Sequence, residues 1–194
     1  MTYPFSLCVY APVQSDLFAI NLRKPLKSAW SFDDWEDFGM SFSDADIAKA
    51  DEITPRTGAA YLRNLRAAGR QTRGWHFQED TKTRYLTMVL PYWTNDWTRL
   101  LLGLSILRQI LPTSGDGQPG YILAHRFDGR DSKTLGAVLM QHGTSKVFGP
   151  DEDVTQQTVE HAKPLALRVK AMSKLPESHI IDNMGTIEEA REHA

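Results

Sequence analysis

The sequence predicts an α+β fold: a mainly antiparallel sheet of about five or six strands, with helices packed on one side. Three observations carry that prediction. First, runs of β-forming residues come in pairs joined by short polar turns. Second, the stretch from Gly74 to Phe127 reads strand, strand, helix, strand, with an apolar helix at about 95–111 in its middle. Third, 194 residues with 41% hydrophobic and 24% charged residues describe one ordinary globular domain, long enough to bury a core without staples. The domain is expected over residues 1–175. Residues 176–194 read as a C-terminal linker and a short last helix, opened by Thr186-Ile187-Glu188-Glu189, which has the pattern of a capping box.

Phe5–Tyr10 and Leu17–Leu22 read as the first two strands, divided by Pro12 and the polar Gln14-Ser15-Asp16. An acidic, aromatic segment with no clean period follows. Within it, Ser43 is placed to cap a short helix from Asp44 to Ala50. Thr54-Pro55 then offers a cap and a first-turn proline for a helix that Gly69 would stop. Gly74–Gln78 and Thr83–Pro91 form the next strand pair. Leu86, Met88 and Leu90 alternate with Tyr85, Thr87 and Val89, so both faces are largely apolar and the strand belongs in the sheet interior.

Thr94 or Asn95 can cap the following helix, with Asp96 in its first turn. Leu100, Leu101, Leu104, Leu107 and Leu111 recur at helical spacing, and Leu102, Ile106 and Ile110 add a second apolar row. A helix wet on one side needs one stripe only, so this one is expected to be nearly enclosed and central. Pro112 ends it. Tyr121–Phe127 is a further strand. Asp131 or Ser132 is then expected to cap a helix running to about Gln141. Lys146–Phe148 is a brief strand. Gln156–Met172 is helical, with Pro164 forcing a kink or a fresh start.

Charge divides the middle of the chain in two. From Trp30 to Glu52 the acids are Asp33, Asp34, Glu36, Asp37, Asp44, Asp46, Asp51 and Glu52, against Lys49 alone. Trp30, Phe32, Trp35, Phe38 and Phe42 interleave them. From Ile53 to Gln78 there are five arginines and no acid. Arg63, Arg66 and Arg70 are spaced to share one helical face, which reads first as a solvated face. A basic segment with Trp75, His76 and Phe77 after it could grip phosphate and stack bases. The formal net charge of −2 and the acidic neighbour argue against nucleic acid.

Few residues of the chain suggest chemistry. The six histidines never pair at the three-to-five-residue spacing of a helical metal site, and with Cys8 as the one cysteine neither a zinc site nor an internal disulfide is expected. No cofactor is implied. Ser114-Gly115-Asp116-Gly117 leads into a strand rather than into Lys-Ser/Thr and a helix, so it is not a phosphate loop. The nearest thing to a catalytic group is His125 with Asp128 and Asp131. The same residues also make sense as an edge histidine, a turn and a helix cap. The N-terminal residues lack the pattern of a signal peptide, and the longest apolar run is too short and too polar to span a bilayer, so a cytoplasmic protein is expected.

At Leu90-Pro91-Tyr92-Trp93-Thr94-Asn95-Asp96-Trp97, followed by the Leu-rich helix to Leu111, the chain resembles small bacterial immunity-type proteins encoded beside polymorphic or type VI secreted toxins. The match covers about 25 residues and carries over no binding residue. The resemblance implies a non-catalytic inhibitor that occludes the active site of a cognate toxin. The surface expected to do so is the acidic, aromatic one, with Asp33, Asp34, Trp35, Glu36, Asp37, Asp44 and Asp46 facing the partner. Two other readings stand beside it. One is an enzyme using His125 with Asp128 or Asp131. The other is a chaperone or adaptor for a secreted effector, which would show an exposed apolar groove.

Overall fold

The computed structural model describes residues 5–13, 15–38, 42–69, 75–80, 84–111, 119–128, 131–141 and 143–172. The fold is α+β, as the sequence predicts. Among the described residues, six strands, β1 (Phe5–Pro12), β2 (His76–Asp80), β3 (Tyr85–Thr94), β4 (Gly120–Asp128), β5 (Asp131–Gln141) and β6 (Thr144–Phe148), form one sheet in the order β2-β3-β1-β4-β5-β6. Every neighbouring pair is antiparallel. The described residues also form the α-helices α1 (Ser15–Arg23), α2 (Asp44–Glu52), α3 (Gly58–Gly69), α4 (Trp97–Ile110) and α5 (Asp153–Met172).

Strand alternation sends side chains to two separate apolar clusters. Leu7, Val9 and Ala11 of β1 join Leu86, Met88 and Leu90 of β3 in the large core. The helices α1 to α4 close that core with Phe18, Ile47, Leu62 and the leucines of α4. Cys8 and Tyr10 of β1 go the other way, into a small cluster with Val89, Tyr121, Leu123 and Ala137. Val159 and Ala162 of α5 cover that second face. The sheet is thus covered on both sides, where helices on one side only were expected. Alternation in β1 and β3 already required cover for both faces.

The central helix is as enclosed as its double apolar row predicts: Leu100, Leu101, Leu104, Leu107 and Ile110 are fully buried. Its cap is Asp96, whose side chain accepts from the Thr98 N–H at 2.8 Å, while Thr94 Oγ1 accepts from the Asp96 N–H at 3.1 Å. A Cβ at Gly103 would lie 2.2 Å from the Trp93 ring, so only glycine lets β3 and α4 approach this closely.

Two expected elements change type. Leu17–Leu22 lies in helix α1, not a strand. Phe18 and Leu22, four apart, are both buried while Ile20 between them is exposed, and that spacing outweighs the β propensity of the individual residues. The helix expected after Asp131 is strand β5, which forms a hairpin with β4. Asp128 and Asp131 are register partners at the hairpin end, and the register shifts so that Ala124 faces Gly136 while His125 faces Thr134. Leu135 is the extra residue of that bulge, and it hid the two-residue period. A Cβ at Gly136 would meet the Phe148 carbonyl oxygen at 2.7 Å.

Helix α3 starts three residues later than Pro55 implied, at Gly58, with Thr57 Oγ1 accepting from the Ala60 N–H. Helix α5 runs through Pro164 as one helix. The linker and last helix expected beyond 175, and Arg70 and Pro112, lie outside the described residues.

Candidate functional site

The acidic, aromatic segment is folded against α4 and the edge strand β6. Short 3-10 turns at Ala29–Ser31 and Trp35–Phe38 and helix α2 make up most of it. Its aromatics divide by direction. Trp35 is 5% exposed, and its indole N–H donates to the Ala29 carbonyl at 3.0 Å. Trp35 meets Phe32 and Phe42 edge to face, and Phe42 also touches Trp97 at the start of α4. Phe38 is fully buried. Trp30 alone points outward, with 53% of its surface exposed.

Arg108 of α4 organises the inward side. Its side chain is 2% exposed, and its guanidinium grips the Asp34 carboxylate through two parallel bonds of 2.8 and 2.9 Å. The same group donates to Ser145 Oγ at 2.9 Å and to the Ser145 carbonyl at 3.1 Å. It also stacks on Phe32 and Trp35, with centroid distances of 3.9 and 4.7 Å. The second Asp34 oxygen accepts from the Val147 N–H at 2.9 Å. One carboxylate therefore neutralises a buried cation and occupies a backbone donor of the edge strand. Partial burial pushes the Asp34 carboxyl up. The Arg108 hydrogen bonds, the Val147 N–H and the Arg108 charge together outweigh that and hold it below the usual carboxylate value.

Two more acids serve the frame. Ser43 and Asp46 form a reciprocal capping box at the start of α2, as the Ser43 cap predicted. The Ser43 hydrogen bonds lower the Asp46 pKa. Asp51, near the end of α2, accepts from the Ser28 hydroxyl and from the Ala29 N–H at 3.0 Å. That contact ties the end of α2 to the turn that carries Trp30.

The expected partner-facing set thus separates. Trp35 is core, and Asp34 and Asp46 are engaged within the fold. Asp33, Glu36, Asp37 and Asp44 are exposed, and their side chains make no hydrogen bond or ion pair among the described residues. Sequence reasoning left out of the set three exposed residues beside the Asp51 contact: Trp30, Glu52 and Ile53. For Trp30 the available signal is its setting between Ala29 and Ser31, away from any apolar period. For Ile53 it is the position just after the last turn of α2.

His125 sits within β4, half-buried, with Nδ1 3.3 Å from Thr134 Oγ1. Burial lowers its pKa. The helix that Asp131 would have capped is absent, and the side chains of Asp128 and Asp131 lie outside the described residues. Burial pushes the Cys8 thiol up to about 12, which fits a core thiol rather than a nucleophile. Among the described residues, no group of three or more His, Cys, Asp or Glu side chains could hold a metal ion, and no helix is long and apolar enough to cross a membrane. Against known proteins the chain matches no family model, no curated protein and no solved structure.

Proposed function

We propose that the chain is a non-catalytic protein-binding inhibitor of the immunity type, which occludes a basic active-site cleft in a cognate bacterial toxin. The observation that carries this reading is Trp30. It is a large aromatic left half in water, on a turn fastened from behind, in a segment with five exposed carboxylates and one base. Tryptophan anchors interfaces because it buries much area at little entropic cost, and surrounding charge steers a basic partner onto it. The interface reading therefore moves from Asp34, Trp35 and Asp46 to the exposed Trp30 and Ile53, with the exposed carboxylates Asp33, Glu36, Asp37, Asp44 and Glu52 in the same segment.

The rival readings have less support. Among the described residues, the hydrogen-bond partner of His125 is Thr134. The exposed large hydrophobics among the described residues are Ile20, Trp30 and Ile53, a sparse set for a chaperone groove.

Co-expression with the product of the adjacent toxin gene tests the proposal. The two chains should co-purify and toxicity should vanish. Trp30→Ala should weaken the complex by about 30-fold, the scale of an interface hot spot. Reversing Asp33, Glu36 and Asp37 to Lys should slow association most at low salt. Tight binding by a variant carrying all four changes would defeat the proposal.

A further inference from the structure

A cleft of about 310 Å³ opens where the end of α1, the strap from Lys24 to Ser28 and the end of α4 meet. That is near the lower end of small-molecule sites. Its deep polar residues are Asn21 and Arg108, both buried, and its rim carries Lys24 and Lys27, both exposed. Phe32 and Leu26 give it a partly buried apolar wall. Among the described residues no carboxylate lines it.

The walls are already set. The Lys27 N–H donates to Gln109 Oε1 at 2.7 Å, and Gln109 Nε2 donates back to the Lys27 carbonyl at 3.0 Å. Arg108 is committed to Asp34 and Ser145. Lys24 Nζ donates to Asn21 Oδ1 at 2.9 Å, leaving both N–H groups of that amide without a partner among the described residues. Neither Lys24 nor Lys27 has an ion-pair partner there, although carboxylates abound a few residues further on. The donors left over are thus the Lys27 ammonium, the remaining N–H groups of the Lys24 ammonium and the Asn21 amide N–H groups. They offer hydrogens and positive charge beside an aromatic ring, and the matching ligand is an anion with acceptor oxygens and a flat apolar part.

We propose that this cleft binds a small organic anion, a phosphate ester or carboxylate carrying a planar apolar group. The anionic end meets Lys24, Lys27 and the Asn21 amide, and the planar end lies along Phe32. The site is independent of the toxin-binding reading.

Phenyl phosphate titrated into the full ¹⁵N-labelled chain, followed by NMR, tests it. One saturable site with a Kd of about a millimolar or tighter is expected, with the Asn21 side-chain amide among the shifted signals. Inorganic phosphate should bind at least about tenfold more weakly, since it lacks the apolar part. The double change Lys24→Gln and Lys27→Gln should cost at least about tenfold in affinity while circular dichroism stays unchanged. Three results would overturn the proposal: no saturation, equal affinity for inorganic phosphate, or undiminished affinity in the double variant.

Discussion

Helix α4 and the segment from Ser28 to Ile53 are built on opposite principles. The helix buries nearly every side chain, and its stability comes from contacts that any well-spaced run of leucines would make. The segment is a run of short helical pieces with only Ala29, Trp35, Phe38, Ile47 and Ala50 of its described residues buried in the core, and a few long-range polar contacts fix the rest: Asp34 to Arg108, and Asp51 to Ser28 and Ala29. The two regions meet at Arg108, the one charged residue buried in α4. The difference teaches that an acidic surface stretch stays ordered here by giving three of its carboxylates to the frame. The other five are left in water.

Arg108→Leu should break that link with the largest effect. It strands the Asp34 carboxylate, strips hydrogen bonds from Ser145 and removes a cation from two aromatic faces. A loss of about 3–5 kcal/mol is expected in chemical denaturation, the scale for removing one partner of a buried pair. Within α4 itself, Leu104→Ala should cost about 2–5 kcal/mol through lost burial and a residual cavity. A loss under about 1 kcal/mol there would show that the helix is not core.

Acid should loosen the segment before it disturbs α4. Asp34 has a lower pKa folded than unfolded, so it contributes stability above its unfolded value of roughly pH 4. That contribution is lost as pH falls through the folded-state value. Asp46 adds to the same trend, its pKa also being lowered. Stability measured from pH 7 downward should therefore fall less steeply in Asp34→Asn than in the unsubstituted chain. Equal slopes would show that Asp34 is not selectively stabilised as the anion.

The smallest effect belongs to the outward side. Asp33→Asn, Glu36→Gln, Asp37→Asn and Asp44→Asn should each change stability by no more than about 0.5 kcal/mol, because none has a hydrogen-bond or ion-pair partner to lose among the described residues. Larger losses would assign those carboxylates to the frame and shrink the candidate interface.

Much of this was legible in the sequence where the cause is local. The double apolar row of α4, the interior alternation of β3 and the Ser43 cap each follow from neighbours within a few residues. Helix α1 was misread because β-forming residues crowd it, and strand β5 because the bulge at Leu135 masks its period. The segment's inward and outward sides could not be sorted, since Asp34 meets its cation 74 residues away. Asp51 likewise finds Ser28 and Ala29 more than twenty residues back. Charge patterning located the acidic stretch but gave Asp34, Trp35 and Asp46 to the surface and left Trp30, one of its five aromatics, out of the partner-facing set.

The place of β1 in the sheet has a kinetic consequence. This strand is first in the chain yet lies third in the sheet, with Cys8 opposite Val89 on one side and Leu123 on the other. During synthesis its apolar residues emerge long before either partner strand exists. The sheet has to close around a segment that waits until β4 has been made, so its central pairings are distant contacts of the kind that slow folding. In that interval β1 is the stretch most exposed to pairing with the wrong strand.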